Sequence, residues 1–215
     1  MSVFGYVQAG GGSTRFGVDK ALVELEGKSM LDRTCALLVP VCKTVRIIAP
    51  SEKYPHAPVP IVTDKWPGEG PLGGILTALY HAEDMSRALS LAPGMAEEAR
   101  THCLILSCDM PFMSRAWLVF LTERAIRSKA EVIVPKSNNG LEPLCACWRT
   151  DAASDIQRTF DRGVRKVTEA MKRLRMEVLD ESVWKRFDSD GRLFWNMNTP
   201  EDYEEARAIF EQRAK

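Results

Sequence analysis

The chain has 215 residues, of which 45% are hydrophobic, and 29 Lys and Arg residues balance 29 Asp and Glu residues. This length favours one domain, expected to span residues 1–215, and the composition excludes disordered, collagen-like and coiled-coil proteins. A net charge of zero provides no general basic field, so we expect neither nucleic acid nor a membrane as a partner, and an anionic ligand would need a local site.

Apolar segments alternate with helical patterns along the first half of the chain. Strands are predicted at residues 3–9, 44–49, 59–63 and 102–107, with a short extended segment at residues 21–25. Helices are predicted from a cap at Ser29 to the residue before Pro40, and over residues 72–85. Residues 102–107 are the most apolar strand, which is typical of a central parallel strand. Residues 86–100 contain Pro93-Gly94, so we expect a surface insertion there.

The second half continues this alternation with shorter elements. Strands are predicted at residues 131–135, 144–148, 176–179 and 193–197. Helices are predicted after a cap at Ser114, over residues 150–160 and 164–174 on either side of Gly163, and from Thr199 through Phe210. The order predicts an α/β fold with a single Rossmann-like, doubly wound, mostly parallel sheet and helices on both faces. Ligands of such sheets bind at the carboxyl ends of the strands.

The cysteines and the amino terminus predict a cytoplasmic protein. The six cysteines lie mostly in apolar segments and form no Cys-x-x-Cys pair, which indicates buried thiols in a reducing compartment. The chain begins directly with an apolar strand, without a charged segment and a cleavage site. No apolar run approaches the ~18 residues of a membrane span.

A glycine-rich segment, AGGGSTRFGVDK at residues 9–20, follows the first strand. It is not a dinucleotide-binding fingerprint, because Arg15 stands where the third glycine is needed, and it is not a P-loop, because Val18 follows Gly17. Its small residues permit close approach of the backbone to a ligand, and the cations Arg15 and Lys20 favour a triphosphate. The alternative is a surface loop with ordinary solvated charges.

Four short motifs are spread over nearly the full chain: AGGGSTRFGVDK at residues 9–20, GPLGGI at 70–75, CDMPF at 108–112 and NMNTPED at 196–202. In the same order, they resemble AGGxSxRMGxDK, GPLxG, CDxP(F/Y) and NxNTPE of the molybdenum cofactor guanylyltransferases, a family of nucleotidyltransferases. Phe16 replaces the Met of the first motif. The resemblance implies an enzyme that transfers GMP from GTP to the terminal phosphate of molybdenum-bound molybdopterin, forming molybdopterin guanine dinucleotide cofactor and pyrophosphate.

The resemblance also implies roles for individual residues. Arg15, Lys20 and Asp109 would be catalytic, because the attacking phosphate is already an anion and the reaction mainly needs its charges neutralised. Asp109 and Asn198 would hold Mg²⁺, the expected cofactor. The nucleotide would be bound by Gln8, Ala9, Gly10, Gly11, Gly12, Lys20, Asp64, Gly73 and Asp109. Molybdopterin would be bound by Arg165, Lys166, Asn196 and Asn198. The histidines match none of the motifs and are expected to be structural: His56, His81 and His102.

Several alternatives remain open at the level of sequence. Asp109 would otherwise cap a helix, Asn198 would brace its own turn, and Asp64 would be a surface charge. The enzyme alternatives are a cytidylyltransferase of the same pterin and another sugar or small-molecule phosphate nucleotidyltransferase. A catalytically silent nucleotide-binding protein on the same fold is a further alternative.

The choice of guanine rests on Gly10-Gly11, because the related cytidylyltransferases tend to carry Ala-Gly there. Three positions depart from the family: Gln8 replaces the usual Leu, Ile48 replaces the Asn of a relative, and Glu142 replaces the His of a frequent His-Pro pair. The expected partners are GTP, molybdopterin, other cofactor-biosynthesis proteins and acceptor molybdoenzymes.

Overall fold

A computed structural model of the chain describes residues 3–9, 19–90 and 101–213. Within these residues the strands are β1 (Val3–Gln8), β2 (Glu24–Leu25), β3 (Lys28–Ser29), β4 (Thr44–Ala49), β5 (Ile61–Thr63), β6 (His102–Ser107), β7 (Val132–Ser137), β8 (Gly140–Leu141), β9 (Cys145–Arg149) and β10 (Met176–Leu179). The α-helices are α1 (Met30–Leu38), α2 (Pro71–Ser90), α3 (Arg115–Arg127), α4 (Ala153–Asp161), α5 (Val167–Ala170), α6 (Glu181–Trp184) and α7 (Pro200–Arg213). Short 3₁₀ turns lie at Lys20–Leu22, Thr150–Ala152, Met171–Arg173 and Lys185–Phe187.

The main sheet has the strand order β10-β7-β9-β6-β1-β4-β5, and β8 pairs with β7. Strands β5, β4, β1 and β6 run parallel to one another, and β10 runs parallel to β7. Strand β9 is antiparallel to both of its neighbours, β6 and β7. The predicted mostly parallel sheet is therefore confirmed, with β9 as the antiparallel exception.

Alternating side chains of β6 face two separate cores. Leu104 and Leu106 lie in the core that contains the apolar faces of α1 and α3. Cys103 and Ile105 lie in the core that contains those of α2 and α4. Because full burial of an aliphatic side chain contributes about 1.5–3 kcal/mol, both faces of this strand stabilise the sheet. Helices on both faces confirm the doubly wound arrangement.

The predicted caps fix the ends of the helices. Ser29 and Ser114 accept hydrogen bonds from amides in the first turns of α1 and α3, at 3.0 and 3.4 Å. At the start of α7, Thr199 Oγ1 accepts the amide of Asp202 at 3.2 Å, and the Asp202 carboxylate accepts the amide of Thr199 at 2.8 Å. Gly163 has a φ of 87°, the left-handed conformation that suits a residue just beyond a helix.

The predicted strand at residues 193–197 is wrong. The Asp188 carboxylate accepts the amides of Arg192 and Leu193, at 2.8 and 3.1 Å, and the amide of Trp195 donates to the Arg192 carbonyl at 2.9 Å. These bonds form a turn, so the segment pairs with no strand of the described chain. Its apolar residues instead fill the cores beneath it: Leu193, Phe194 and Met197.

Two helix predictions also need correction. The helix predicted over residues 164–174 shortens to α5 and the 3₁₀ turn Met171–Arg173, because Lys166 is extended and starts α5 without a side-chain cap. Helix α2 continues to Ser90, so residues 86–90 belong to it and not to the expected insertion. The rest of that insertion, residues 91–100, lies outside the described residues. Helix α6 was not predicted.

Among the described helices, none combines the length and apolar character needed to cross a membrane.

Candidate active site

The carboxyl ends of β1, β4, β5 and β6 form one edge of the sheet, which we call the strand-end edge. Gln8, the last residue of β1, pairs in register with Ser107 at the end of β6. Asp64 directly follows β5, and Asp109 follows β6 after one intervening residue. Crevices at such edges are the usual ligand sites of α/β sheets. The strand-end edge therefore collects Gln8, Ala9, Asp64 and Asp109 from separate parts of the chain.

Asp109 is bonded to the protein through its main chain, while one oxygen of its carboxylate has no donor among the described residues. Its Oδ1 atom is buried and accepts no hydrogen bond from the part of the chain that the structure describes. Its main-chain carbonyl accepts the amide of Met197 at 2.8 Å. This bond joins Asp109 to the turn that carries Asn196 and Asn198. A buried carboxylate oxygen without a donor is costly unless a cation or a ligand donor meets it.

The pKa of the Cys108 thiol reflects the charges around Asp109. Burial first, and then the carboxylates of Asp109 and Asp19, raise the pKa of this thiol to about 12, while the ammonium of Lys53 opposes the shift. Cys108 is therefore a neutral thiol at physiological pH, as are the other cysteines, all of which are free with raised pKa values: Cys35, Cys42, Cys103, Cys145 and Cys147. The prediction of buried thiols is confirmed for five of the six cysteines, and Cys42 is partly buried. No group of three or more His, Cys, Asp or Glu residues suited to a metal ion occurs within residues 3–9, 19–90 and 101–213.

Glu142 is a second carboxyl group near Asp109. Strands β6 and β9 pair antiparallel, with Leu106 opposite Cys145, and the amide of Ser107 donates to the Leu144 carbonyl at 2.8 Å. The strand pairing thus ends where Asp109 and Glu142 follow and precede it, and the charge of Asp109 acts on the carboxyl group of Glu142. The side chain of Glu142 is 92% buried, being 8% exposed.

Burial is the main reason that the pKa of Glu142 is raised, and the negative charge of Asp109 raises it further. A hydrogen bond of 2.5 Å from Ser137 Oγ to Glu142 Oε1 opposes the shift. The sequence marked Glu142 only as a departure from the resembling family. The signal that could have located it is the antiparallel pairing of residues 102–106 with 145–149, which sequence analysis did not assign.

Lys20 and Asn198 come together although 178 positions separate them. Lys20 Nζ donates to Asn198 Oδ1 at 2.8 Å, and the amide of Asn198 donates to the Asp202 carboxylate at 2.6 Å. Asn196 instead donates its side-chain amide to the Phe194 carbonyl, within its own turn, at 3.2 Å. The structure thus joins a predicted catalytic cation to a predicted metal or pterin residue.

The glycine-rich segment is described only at its two ends. Gly10, Gly11, Gly12 and Arg15 lie outside the described residues, as do the predictions that concern them. At its far end, Asp19 Oδ1 accepts the amide of Ala21 at 3.1 Å and caps the 3₁₀ turn that contains Lys20.

Asp64 and Gly73 shape the turn before α2. The Asp64 carboxylate accepts the amide of Trp66 at 3.0 Å and the hydroxyl of Thr77 at 2.9 Å. A Cβ atom on Gly73 would lie 3.0 Å from Trp66 Cβ, so the glycine permits close packing of the turn. Gln8 Nε2 donates to the Pro71 carbonyl at 3.0 Å and holds the start of α2 against β1.

Arg165 contacts the end of α4 and the turn before α2. Its guanidinium pairs with the Glu69 carboxylate, stacks 3.8 Å from the centroid of the Phe160 ring and donates to the Phe160 carbonyl at 2.7 Å. Lys166 is exposed at the start of α5. Arg165 therefore links the end of α4 to the turn before α2, where residues 70–75 lie.

Comparisons with known proteins identify the family of the chain. The family model of the MobA-like NTP transferase domain matches residues 5–175. A protein of Chloroflexus aggregans named "Probable molybdenum cofactor guanylyltransferase" is 30% identical over 209 residues, which cover 94% of this chain and 92% of that protein. The molybdenum cofactor guanylyltransferase of Desulfosudis oleivorans is 30% identical over 209 residues, with 96% and 95% covered.

A solved structure has the same fold over almost the full length. The crystal structure of molybdopterin-guanine dinucleotide biosynthesis protein A from Archaeoglobus fulgidus superposes with a TM-score of 0.79 at 25% identity. The superposition covers 97% of this chain and 99% of that one. The chain therefore belongs to the MobA-like NTP transferase family and is a nucleotidyltransferase.

Proposed function

We propose that this enzyme transfers GMP from GTP to the terminal phosphate of molybdenum-bound molybdopterin, with release of pyrophosphate. The observation that supports this most is the convergence at the strand-end edge. Lys20 bonds Asn198, and the residue before Asn198 bonds the main chain of Asp109. The turn that carries Asn198 thus links the cation Lys20 to the main chain of Asp109, whose Oδ1 atom has no donor among the described residues. The names of the relatives support the choice of GTP and molybdopterin.

The chemistry needs charge neutralisation more than a base. An oxygen of the terminal pterin phosphate forms a bond to the α-phosphorus of GTP, and the bond from that phosphorus to the bridging oxygen breaks, so that pyrophosphate leaves with the electron pair. The nucleophile is already ionised, so no histidine is required. We assign to Lys20 and Arg15 the neutralisation of the phosphates and of the charge that develops on pyrophosphate.

The carboxylates at this edge suit a divalent cation that is shared with substrate phosphates. Asp109 offers a buried oxygen that has no donor among the described residues, and Glu142 lies near enough for the charge of Asp109 to raise its pKa. Mg²⁺ is usually held by one or two carboxylates together with phosphates and water. We propose Mg²⁺ as the cofactor, with Asp109 as its ligand and Asn198 as a further oxygen donor. When bound, the cation would stabilise negative charge on the phosphates as a Lewis acid.

We assign the base to the region around Gly10-Gly11 and the main chain of β1. The side chain of Gln8 donates to the Pro71 carbonyl, so we assign any contact of this residue with the base to its main chain. Ile48 is buried in the core with α2 and therefore does not replace the contact of an asparagine. Gly12, Asp64 and Gly73 complete the proposed nucleotide-binding set.

We assign molybdopterin to Arg165, Lys166, Asn196 and Asn198. A phosphate would compete with the Glu69 carboxylate for the Arg165 guanidinium, which Phe160 already orients by stacking. Other cofactor-biosynthesis proteins and acceptor molybdoenzymes are the proposed partners. The free thiols support the cytoplasm as the compartment.

Ligand-dependent stability tests this proposal directly. With Mg²⁺ present, GTP at a hundredfold over its Kd should stabilise the protein by about 2.7 kcal/mol, and CTP should do little. Pyrophosphate release should require GTP and molybdopterin together. Equal or better use of CTP would reverse the guanine assignment and leave the family intact, whereas no response to any triphosphate would oppose nucleotidyl transfer.

A further inference from the structure

Lys53 and Tyr54, in the connection between β4 and β5, contact both residues that flank segment 10–18. The Tyr54 hydroxyl lies 2.6 Å from the Ala9 carbonyl oxygen and 2.9 Å from Asp19 Oδ2. Lys53 Nζ lies 2.9 Å from Asp19 Oδ2 and 3.3 Å from the Ala9 carbonyl oxygen. One hydroxyl and one ammonium thus hold a carbonyl and a carboxylate side by side.

These donors are themselves held in place. Tyr54 is 4% exposed, and burial together with the charge of Asp19 raises its pKa, so the hydroxyl keeps its proton. The amide of Lys53 donates to the Pro50 carbonyl, and the amide of Ala57 donates to the Tyr54 carbonyl, both at 3.1 Å. Without the two donors, the Ala9 carbonyl and the Asp19 carboxylate would face each other as acceptors, which is unfavourable.

Asp19 carries this constraint to Lys20. Its Oδ2 atom binds Lys53 and Tyr54, while its Oδ1 atom accepts the amide of Ala21 and caps the turn Lys20–Leu22. The orientation of the Asp19 carboxylate therefore fixes the start of the turn from which Lys20 reaches Asn198.

We propose that Lys53 and Tyr54 are positioning residues for the triphosphate, acting through Ala9 and Asp19. They set the separation of the two ends of the glycine-rich segment and the direction of Lys20 before the nucleotide binds. Holding these groups beforehand reduces the ordering that binding must otherwise impose, which strengthens binding without a direct contact. This inference rests on the proposed function, and it names residues that none of the four sequence motifs contains.

The test compares two buried tyrosines that each lose one hydroxyl. Tyr54→Phe removes the contacts to Ala9 and Asp19, whereas the control Tyr6→Phe removes a hydroxyl that lies 2.8 Å from His81 Nδ1. Both variants should show similar small changes in melting temperature without nucleotide. The Kd and KM for GTP with Mg²⁺ should rise about tenfold in Tyr54→Phe, as expected for the loss of one such hydrogen-bonded anchor, with a smaller change in kcat. Tyr6→Phe should bind GTP like the wild type.

Lys53→Met provides a second variant, since its side chain is 29% exposed and folding should tolerate the change. It should weaken GTP binding at least as much as Tyr54→Phe does. If Tyr54→Phe does not fold, Lys53→Met alone tests the positioning role. Wild-type GTP affinity in Lys53→Met or in a folded Tyr54→Phe would overturn the proposal.

Limited trypsin digestion separates failure of this inference from failure of the proposed function. If the wild type does not bind GTP, the assignment of the substrate fails, and the positioning role is judged by cleavage at Arg15 and Lys20 in the native protein. Faster cleavage there in Tyr54→Phe than in Tyr6→Phe would support the role. Equal rates would reject it.

Discussion

At the scale of single residues, Asp109 is a position where the effect of a charge on catalysis can be measured without disturbing the fold. Asp109→Asn keeps the shape of the side chain and leaves the main-chain bond to Met197 intact, so the fold should survive. Losing the charge that holds a divalent cation should slow pyrophosphate release by about a hundredfold or more, since several kcal/mol of transition-state stabilisation are lost. GTP binding should fall less than the rate, because Lys20 remains.

The measurement is Mg²⁺-dependent pyrophosphate release at saturating GTP. Asp84→Asn is the matched control: it removes an exposed carboxylate on α2 that forms a 3.9 Å ion pair with Arg87, and it should leave the rate unchanged. Full rate and an unchanged Mg²⁺ dependence in Asp109→Asn would place the metal elsewhere and leave Asp109 as a structural residue.

Short motifs located Asp109, Lys20 and Asn198 but not the residues that support them. Glu142 is near enough to Asp109 for their charges to interact, and Tyr54 approaches Asp19 from the connection after β4. Both interactions join distant segments, and no pattern in the sequence predicted either of them. A sequence motif records the groups that meet the ligand, whereas their supports depend on strand register and loop path.

At the scale of elements, the absence of a side chain at Gly74 leaves space for the Gln8 side chain at the start of α2. A Cβ atom on Gly74 would lie 2.2 Å from Gln8 Nε2 and 2.8 Å from Gln8 Cδ, so Gly74→Ala must displace the amide that bonds Pro71. The displaced hydrogen bond and the crowding cost about 1–3 kcal/mol, which exceeds the gain of up to about 1 kcal/mol from replacing a helical glycine. Gly74→Ala should therefore destabilise the protein.

A double-mutant cycle checks this prediction. Gln8→Ala removes the obstructing side chain, so Gly74→Ala in that background should be neutral or stabilising in urea unfolding. If Gly74→Ala costs the same in both backgrounds, Gln8 is not the cause of the strain.

Long periodic elements were predictable, and short connections were not. The bounds of β6 follow from its own apolar run, and those of α3 follow from its cap and its apolar spacing. Both elements were predicted at or near their observed bounds. Residues 193–197 look like a strand by composition, but the Asp188 carboxylate bends the preceding chain into a turn. The competing interaction comes from a polar side chain whose partners cannot be read from hydrophobic periodicity.

At the scale of the whole molecule, the packing of α2 against β1 makes stability depend on pH through His81. His81 on α2 packs against β1, with its Nδ1 atom 2.8 Å from the Tyr6 hydroxyl. Burial first, and then the positive charges of Arg46 and Lys65, lower the pKa of His81, while Asp84 opposes the shift. The folded protein therefore prefers a neutral ring, whose Nδ1 atom can accept the Tyr6 hydroxyl.

The sign of the resulting pH dependence follows from this preference. Below the ordinary histidine pKa of about 6.5, the unfolded chain binds a proton at His81 that the folded protein takes up only at lower pH. The contribution is fully present above about pH 6.5 and is lost as pH falls towards the lowered pKa. Each unit by which folding lowers the pKa of His81 corresponds to about 1.4 kcal/mol of stability.

His81→Gln keeps an acceptor for Tyr6 and cannot be protonated, so it should lose less stability than the wild type between pH 7.5 and 5.0. Urea unfolding at pH 7.5, 6.0 and 5.0 measures the difference, with His56→Gln on the exposed surface as the control that should follow the wild type. A His81→Gln curve parallel to the wild-type curve over this range would show that the acid sensitivity comes from other groups.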